Sequence, residues 1–331
     1  MSKKFWIVGI LVIVAIVAIG ILVFNHGSIA GTSSPTGTGS ASGTVLQVVA
    51  AENFWGSLVS QIGGTHVQVL SIVSDPNADP HEYESNAADA RAVATANYVI
   101  ENGAGYDSWM DKLLSAGGTS NGSASDGSGS GSAAASSQKV LNVANLVGVQ
   151  EGGNPHLWYN PAYVNAAIAQ MEQDLIALDP ADASYYQAQY ATLQANLAEY
   201  QGRIATIKQQ YGGVEVASTE SIFQYLATAA GLDLVSPPAF IDAVAEGNDP
   251  PASSIVTFEN QLKSGSIRVL VYNEQTVTPL TENMKALAAT DGIPVIGVTE
   301  TIQPPDATFE EWMNAEIIDL QNALNAQALG Q

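Results

Sequence analysis

Two runs of alternating strand-like and helix-like segments, joined by one uninterrupted helical stretch, constrain this chain more than any other feature of its sequence. The strand-like segments of the first run are residues 45–51, 66–73, 98–101 and 140–146. Those of the second run are residues 214–218, 232–235, 268–272 and 294–298. Because helices separate the strands, the sequence predicts an α/β fold with two lobes, each with a mostly parallel sheet flanked by helices.

The stretch between the two runs, residues 182–211, contains no proline and a single glycine, Gly202. Asp179-Pro180 provides a start signal and Gly212-Gly213 a stop signal, so a helix about 45 Å long is predicted. A coiled-coil arm is the alternative, although a clear heptad of large aliphatic residues is missing. We therefore predict an N-terminal lobe over 45–180, one long rigid linking helix over 181–212 and a C-terminal lobe over 213–331.

The N-terminal segment, residues 1–26, predicts an extracytoplasmic location. Lys3 and Lys4 precede an uncharged apolar run over residues 5–24, long enough for a helix that crosses a bilayer. The two lysines place the start of the chain in the cytoplasm, so a transmembrane helix would attach the rest to the outer face of the cell membrane. A signal peptide cleaved near Ser28-Ile29-Ala30 is the alternative, and it would leave a secreted or periplasmic protein.

Two low-complexity segments interrupt this pattern. Residues 27–44 are mostly Gly, Ser, Thr and Pro, which predicts a flexible linker. Residues 115–138 are rich in Ser, Gly and Ala, which predicts a disordered surface insertion within the first lobe.

Composition argues against one class of partner and excludes several kinds of site. The chain has 10 Lys and Arg residues against 32 Asp and Glu, a formal net charge of −22, so nucleic acid is not expected as a partner. It has no cysteine, which excludes disulfides, thiolate metal sites, a cysteine nucleophile and a lipidated cysteine.

Two of the four histidines occur in matching contexts, Asp79-Pro80-His81 and Asn154-Pro155-His156. Both motifs follow a predicted strand, and ligands of open α/β sheets bind beyond the carboxyl ends of strands. The preceding proline restricts the backbone and helps to fix each imidazole. Ordinary surface histidines are the alternative, and His66, at the start of a strand, is interpreted as structural.

Carboxylates follow two strands of the second lobe. Glu220 lies just beyond 214–218, and Glu274 lies just beyond 268–272. A carboxylate favoured by a helix N-terminus is the alternative interpretation of Glu220. Two imidazoles with one or two carboxylates suit Zn²⁺, Mn²⁺ or Fe²⁺.

With these motifs, the chain from Val45 onward resembles the solute-binding proteins of zinc and manganese ABC transporters. Asp79-Pro80-His81 and Asn154-Pro155-His156 are similar to the two first-lobe histidine ligands of that family. Glu220, three residues before Phe223, matches a position that is His in many zinc-type members and Glu in manganese-type members. The resemblance implies two lobes joined by a long helix, one Zn²⁺ or Mn²⁺ bound as cargo in the cleft between them, and an ABC permease as partner.

The fourth ligand is where the sequence departs from the family pattern. The family has an Asp there, whereas this sequence has Thr278 near the corresponding position. Our predicted metal ligands are therefore His81, His156, Glu220 and Glu274. Asp242, Glu246 or a water molecule could take the place of Glu274. The insertion over 115–138 has no histidine, so a zinc-gathering His-rich loop is not supported.

The predicted function is capture of a divalent transition metal outside the cytoplasm and its delivery to an ABC permease for import, by a monomeric binding protein that is not an enzyme. A metal-dependent surface adhesin is one alternative. A zinc hydrolase is another, because two His and a Glu with an open position also form catalytic zinc sites. The sequence contains no His-Glu-x-x-His pair to support a hydrolase.

Overall fold

Two parallel four-stranded sheets of identical strand order form the framework of this protein. The computed structural model describes residues 45–76, 80–117 and 138–328. The first sheet has the order β2-β1-β3-β4 and the second the order β6-β5-β7-β8. The strands are β1 (Leu46–Glu52), β2 (Val67–Val73), β3 (Tyr98–Glu101), β4 (Lys139–Asn142), β5 (Glu215–Ser218), β6 (Asp233–Leu234), β7 (Leu270–Asn273) and β8 (Val295–Val298).

Helices cover both sheets, so the predicted two-lobe α/β architecture is confirmed. They are α1 (Asn53–Gly63), α2 (Ala87–Thr95), α3 (Ser108–Ala116), α4 (Val143–Val147), α5 (Pro161–Leu178), α6 (Ala183–Tyr211), α7 (Gln224–Ala229), α8 (Pro238–Ala245), α9 (Ala252–Lys263), α10 (Pro279–Thr290) and α11 (Phe309–Ala328).

The long helix α6 runs for 29 residues between the two sheets, as predicted. Its buried side chains recur at intervals of three, four or seven residues and so form one stripe along the helix. They are Tyr186, Leu193, Leu197, Tyr200, Ile204 and Ile207. Through this stripe α6 packs against α1 and α5 of the first lobe and against α11 of the second.

One continuous hydrophobic core extends through both lobes. It includes Val48 in β1, Leu197 in α6, Val271 in β7 and Trp312 in α11. Two smaller clusters cover the remaining faces of the two sheets. The two lobes therefore share their largest core.

Hydrogen bonds between the lobes add to this shared core. The backbone N–H of Ile302 donates to Asn53 Oδ1 at 3.2 Å, and the backbone N–H of Phe309 donates to Ser57 Oγ at 3.0 Å. Both acceptors lie on α1, so the segment that leads into α11 is fixed to the first lobe.

The structure differs from the predicted elements in a few places. The strand predicted over 140–146 ends at Asn142, because the Asn142 side chain accepts a hydrogen bond from the backbone N–H of Asn145 and starts α4. Helices α5 and α8 both begin with a proline in the first turn.

Several predictions fall on residues that the structure does not describe. The membrane segment (1–26), the linker (27–44) and most of the insertion (115–138) lie outside the described residues. Among the helices of the described ranges, none combines the length and the apolar composition needed to cross a membrane. The lobe boundaries at 180 and 212 stay a prediction.

Candidate metal centre

Four side chains from the two lobes meet where strands of both sheets end. His81 lies in a 3₁₀ turn after β2, and His156 lies after β4 and α4. Glu220 and Glu300 each lie two residues beyond a strand, β5 and β8 respectively. The structure therefore brings three of the four predicted ligands together and adds Glu300 to them.

Nitrogen and oxygen atoms of these side chains face each other at short distances. His81 Nε2 lies 3.1 Å from Glu300 Oε2, and His156 Nε2 lies 3.1 Å from Glu220 Oε1. His156 Nε2 is also 4.0 Å from Glu300 Oε2. The ligand atoms of His81, His156 and Glu300 all lie within 4.8 Å of one another, a spacing that could hold a metal ion.

Burial differs among the four side chains. His156, Glu220 and Glu300 have fully buried side chains, whereas that of His81 is 23% exposed. His81 therefore lies on the solvent side of the group, and an ion reaching the three buried side chains would pass it.

Asn154 fixes the orientation of the His156 ring. Its Oδ1 accepts from the His156 backbone N–H at 3.0 Å and lies 2.8 Å from His156 Nδ1. Since Oδ1 is an acceptor, Nδ1 donates to it, and this contact directs Nε2 toward the carboxylates. The Asn154 amide also donates to the carbonyl oxygen of Ser221 at 2.8 Å, which links this loop to the second lobe.

Asn273, the last residue of β7, holds both carboxylates. β7 lies between β5 and β8, and the Asn273 amide nitrogen donates to Glu220 Oε2 at 2.5 Å and to Glu300 Oε1 at 2.7 Å. These bonds partly offset the repulsion between two adjacent negative groups. They also leave Glu220 Oε1 and Glu300 Oε2 directed at the imidazoles.

The surroundings of Glu300 keep it ionised. Burial raises its pKa, but the charges of His81 and His156, with hydrogen bonds from His81 and Tyr106, outweigh burial and lower the pKa to about 2. The Tyr106 hydroxyl donates to Glu300 Oε2 at 2.7 Å. Burial and the nearby Glu300 charge raise the pKa of Tyr106, so Tyr106 remains a neutral donor.

Glu274 does not lie with the four converging side chains. It is exposed, and its carboxylate rests against Gly297 of β8, where a Cβ atom would collide with it. Side chains alternate along an extended chain, so when Asn273 points into the site its neighbour Glu274 points away. The structure does not bring Glu274 to the two imidazoles.

Thr278, Asp242 and Glu246 also lie apart from the four converging side chains. Thr278 caps α10, where its hydroxyl accepts from a backbone N–H of the first turn at 3.1 Å. Asp242 and Glu246 are exposed and line a cleft cavity of about 880 Å³ above the group. Glu82 and Glu151 also line this cavity, so the mouth of the site is acidic.

A sequence signal for Glu300 was available. Thr219-Glu220 directly follows the last residue of β5, and Thr299-Glu300 directly follows the last residue of β8. The same Thr-Glu pair therefore comes directly after both strands. The order β6-β5-β7-β8, which places Asn273 between the two pairs, could not be read from the sequence.

The comparisons with known proteins agree with this geometry. A protein-family model described as the periplasmic zinc-uptake complex component A (ZnuA) matches residues 48–323. The chain belongs to this family. The resemblance to solute-binding proteins of zinc and manganese ABC transporters is thereby confirmed, and the family is one of uptake components and not of enzymes.

Individual relatives are distant. The chain is 26% identical over 209 residues to the manganese-binding lipoprotein MntA of Halalkalibacterium halodurans, a match that covers 60% of this chain and 62% of MntA. It is 24% identical over 304 residues to the metal ABC transporter substrate-binding lipoprotein FimA of Streptococcus parasanguinis, with 87% of each chain covered. The periplasmic zinc binding protein TroA of Treponema pallidum has the same fold, with a TM-score of 0.69, 15% identity, and 84% of this chain and 99% of TroA covered.

Proposed function

We propose that this protein captures one divalent transition-metal ion between its lobes, with His81, His156, Glu220 and Glu300 as ligands, and delivers the ion to an ABC permease for import. The convergence of two imidazoles from one lobe and two carboxylates from the other carries this proposal. An ion bound by all four would join the lobes at the cleft.

Two distances across the group suit one ion, and the 4.0 Å between His156 Nε2 and Glu300 Oε2 would have to shorten when the ion binds. Donor atoms about 2.0–2.2 Å from a shared ion lie about 3.0–3.6 Å apart, and the His81–Glu300 and His156–Glu220 pairs are both separated by 3.1 Å. Binding requires neutral imidazoles, so the ion replaces their protons as the positive partner of the carboxylates. Affinity should therefore fall as the pH drops through the histidine range.

The donor set narrows the choice of ion. Two nitrogen and two carboxylate donors, with no thiolate, suit Mn²⁺ and Zn²⁺, and each hard carboxylate moves the balance toward Mn²⁺. The names of the relatives include both metals, since MntA is called manganese-binding and TroA zinc binding. We propose Mn²⁺ or Zn²⁺ as cargo, to be decided by direct competition.

We also propose that the metal is captured outside the cytoplasm, by a monomer. MntA and FimA are called lipoproteins. This sequence has no cysteine to carry a lipid, so the apolar run over residues 5–24 is the anchor we propose. Cleavage after this run would instead release the chain.

The test is the metal content and competitive affinity of the full chain in mild detergent, for Mn²⁺ and Zn²⁺, with His156→Ala and Glu220→Gln variants beside it. We expect one tightly bound equivalent that both substitutions weaken. Uptake of the same metal should fall in cells that lack the protein. Tight binding that neither variant changes would show that the cleft group is not the site.

A further inference from the structure

A second group of an imidazole and two carboxylates lies where α6 begins. It consists of His66, just before β2, Asp179, just before the short 3₁₀ turn that precedes α6, and Asp182, the last residue of that turn. We propose that these three side chains form a peripheral binding site for a divalent transition metal.

The distances fit a shared ion. His66 Nδ1 lies 3.0 Å from Asp182 Oδ2 and 4.0 Å from Asp179 Oδ2, and the three ligand atoms lie within 4.8 Å of one another. Donors bound to one ion at about 2.0–2.2 Å have separations close to these. Within the described part of the chain, neither aspartate has an ion pair with a lysine or arginine, so two negative groups share one imidazole.

Surrounding contacts fix this group in place. The Tyr185 ring lies over His66, with ring centroids 4.2 Å apart and planes tilted by 36°. The Tyr185 hydroxyl accepts from the backbone N–H of Thr65 at 3.3 Å, an approach that a side chain at Gly64 would block. The Tyr186 hydroxyl donates to Asp179 Oδ2 at 3.1 Å and so orients that carboxylate.

The peripheral site is independent of the cleft. His66 precedes the N-terminal end of β2, whereas His81 follows its carboxyl end. The strand β2, which is seven residues or about 23 Å long, lies between the two positions along the chain.

One nitrogen and two oxygen donors select the same class of ion as the cleft, such as Zn²⁺ or Mn²⁺. The three side chains are half-exposed, so water completes the coordination and the affinity is lower than in the cleft. A bound ion would tie the start of α6 to the edge strand of the first sheet.

The test uses Zn²⁺ as the probe and histidine-selective NMR as the readout, because the chain has only four imidazoles to resolve. The full chain in detergent carries His156→Ala and Glu300→Gln, which disable the cleft, and is titrated at pH 7.5. We expect the His66 resonances to shift with one equivalent of Zn²⁺ and the melting temperature to rise. Asp182→Asn should abolish both effects, and Asp291→Asn, at an exposed aspartate far along the chain, should abolish neither.

A His66 signal that responds to pH but not to 1 mM Zn²⁺ would show an ordinary His–Asp ion pair and overturn the proposal. The chain with an intact cleft provides a second measurement, since there His66 should respond only after the first equivalent. The cleft site and the peripheral site are tested independently. In the chain with an intact cleft, absence of the cleft site would appear as His81 and His156 resonances that do not respond to Zn²⁺.

Discussion

Replacing Glu300 with glutamine tests the proposed ligand that was absent from the set predicted from the sequence. Glu300→Gln keeps the side-chain volume but removes a negative charge that lies 3.1 Å from His81 Nε2 and 4.0 Å from His156 Nε2. The pKa of Glu300 is about 2, so this charge is present throughout the neutral pH range. Glu274→Gln is the matched control, because it removes an exposed carboxylate from the same lobe.

The magnitude follows from burial. Glu300 is fully buried, and removing one partner of a buried, hydrogen-bonded charge pair costs about 2–5 kcal/mol of binding free energy. At about 1.4 kcal/mol for each tenfold change, Glu300→Gln should raise the Kd for Mn²⁺ and for Zn²⁺ by about one and a half to three and a half powers of ten. Glu274→Gln should leave both constants within about threefold of the parent.

Competition against a chromophoric chelator at pH 7.5 measures these constants, and circular dichroism checks that both variants fold. Affinity that drops for Glu274→Gln and persists for Glu300→Gln would refute our assignment of the second carboxylate. It would restore the ligand set predicted from the sequence.

Three further perturbations probe the supporting structure. Asn273→Ala removes the amide that holds Glu220 and Glu300, and metal titration should show affinity about 10–100-fold weaker; unchanged affinity would contradict a positioning role. Burial raises the pKa of Glu316 to about 8, so the folded state holds a proton there that the unfolded state loses above about pH 4.5. Stability should therefore fall between about pH 4.5 and 8 by a few kcal/mol, and urea unfolding of Glu316→Gln should show a flatter pH dependence. Leu197→Ala empties part of the core shared by both lobes and should cost about 2–5 kcal/mol in a single unfolding transition, whereas two separate transitions would argue against a shared core.

Much of the fold was predictable because local patterns determine it. The strand predicted over 98–101 and the linking helix predicted over 181–212 agree with β3 and α6, since each is bounded by clear changes in residue pattern. The paired Pro-His motifs likewise predicted two side chains that meet, with ring centroids 5.7 Å apart.

The repeated Thr-Glu pair is a local signal for the second carboxylate, but it does not by itself exclude Glu274. Both Glu274 and Glu300 follow strands, and choosing between them needs the side-chain direction at the end of β7 and the strand order of the second sheet. The extent of the shared core also depends on long-range packing of α6 and α11, which no segment of the sequence encodes alone.

X-ray absorption spectroscopy of the full chain loaded with one equivalent of Zn²⁺ or Mn²⁺ tests the central claim most directly, because imidazole rings give a characteristic outer-shell signal. Our account predicts two imidazole nitrogens together with carboxylate oxygens, from His81, His156, Glu220 and Glu300. A first equivalent with a single imidazole, as His66 would supply, or with none, would contradict capture of the metal between the lobes.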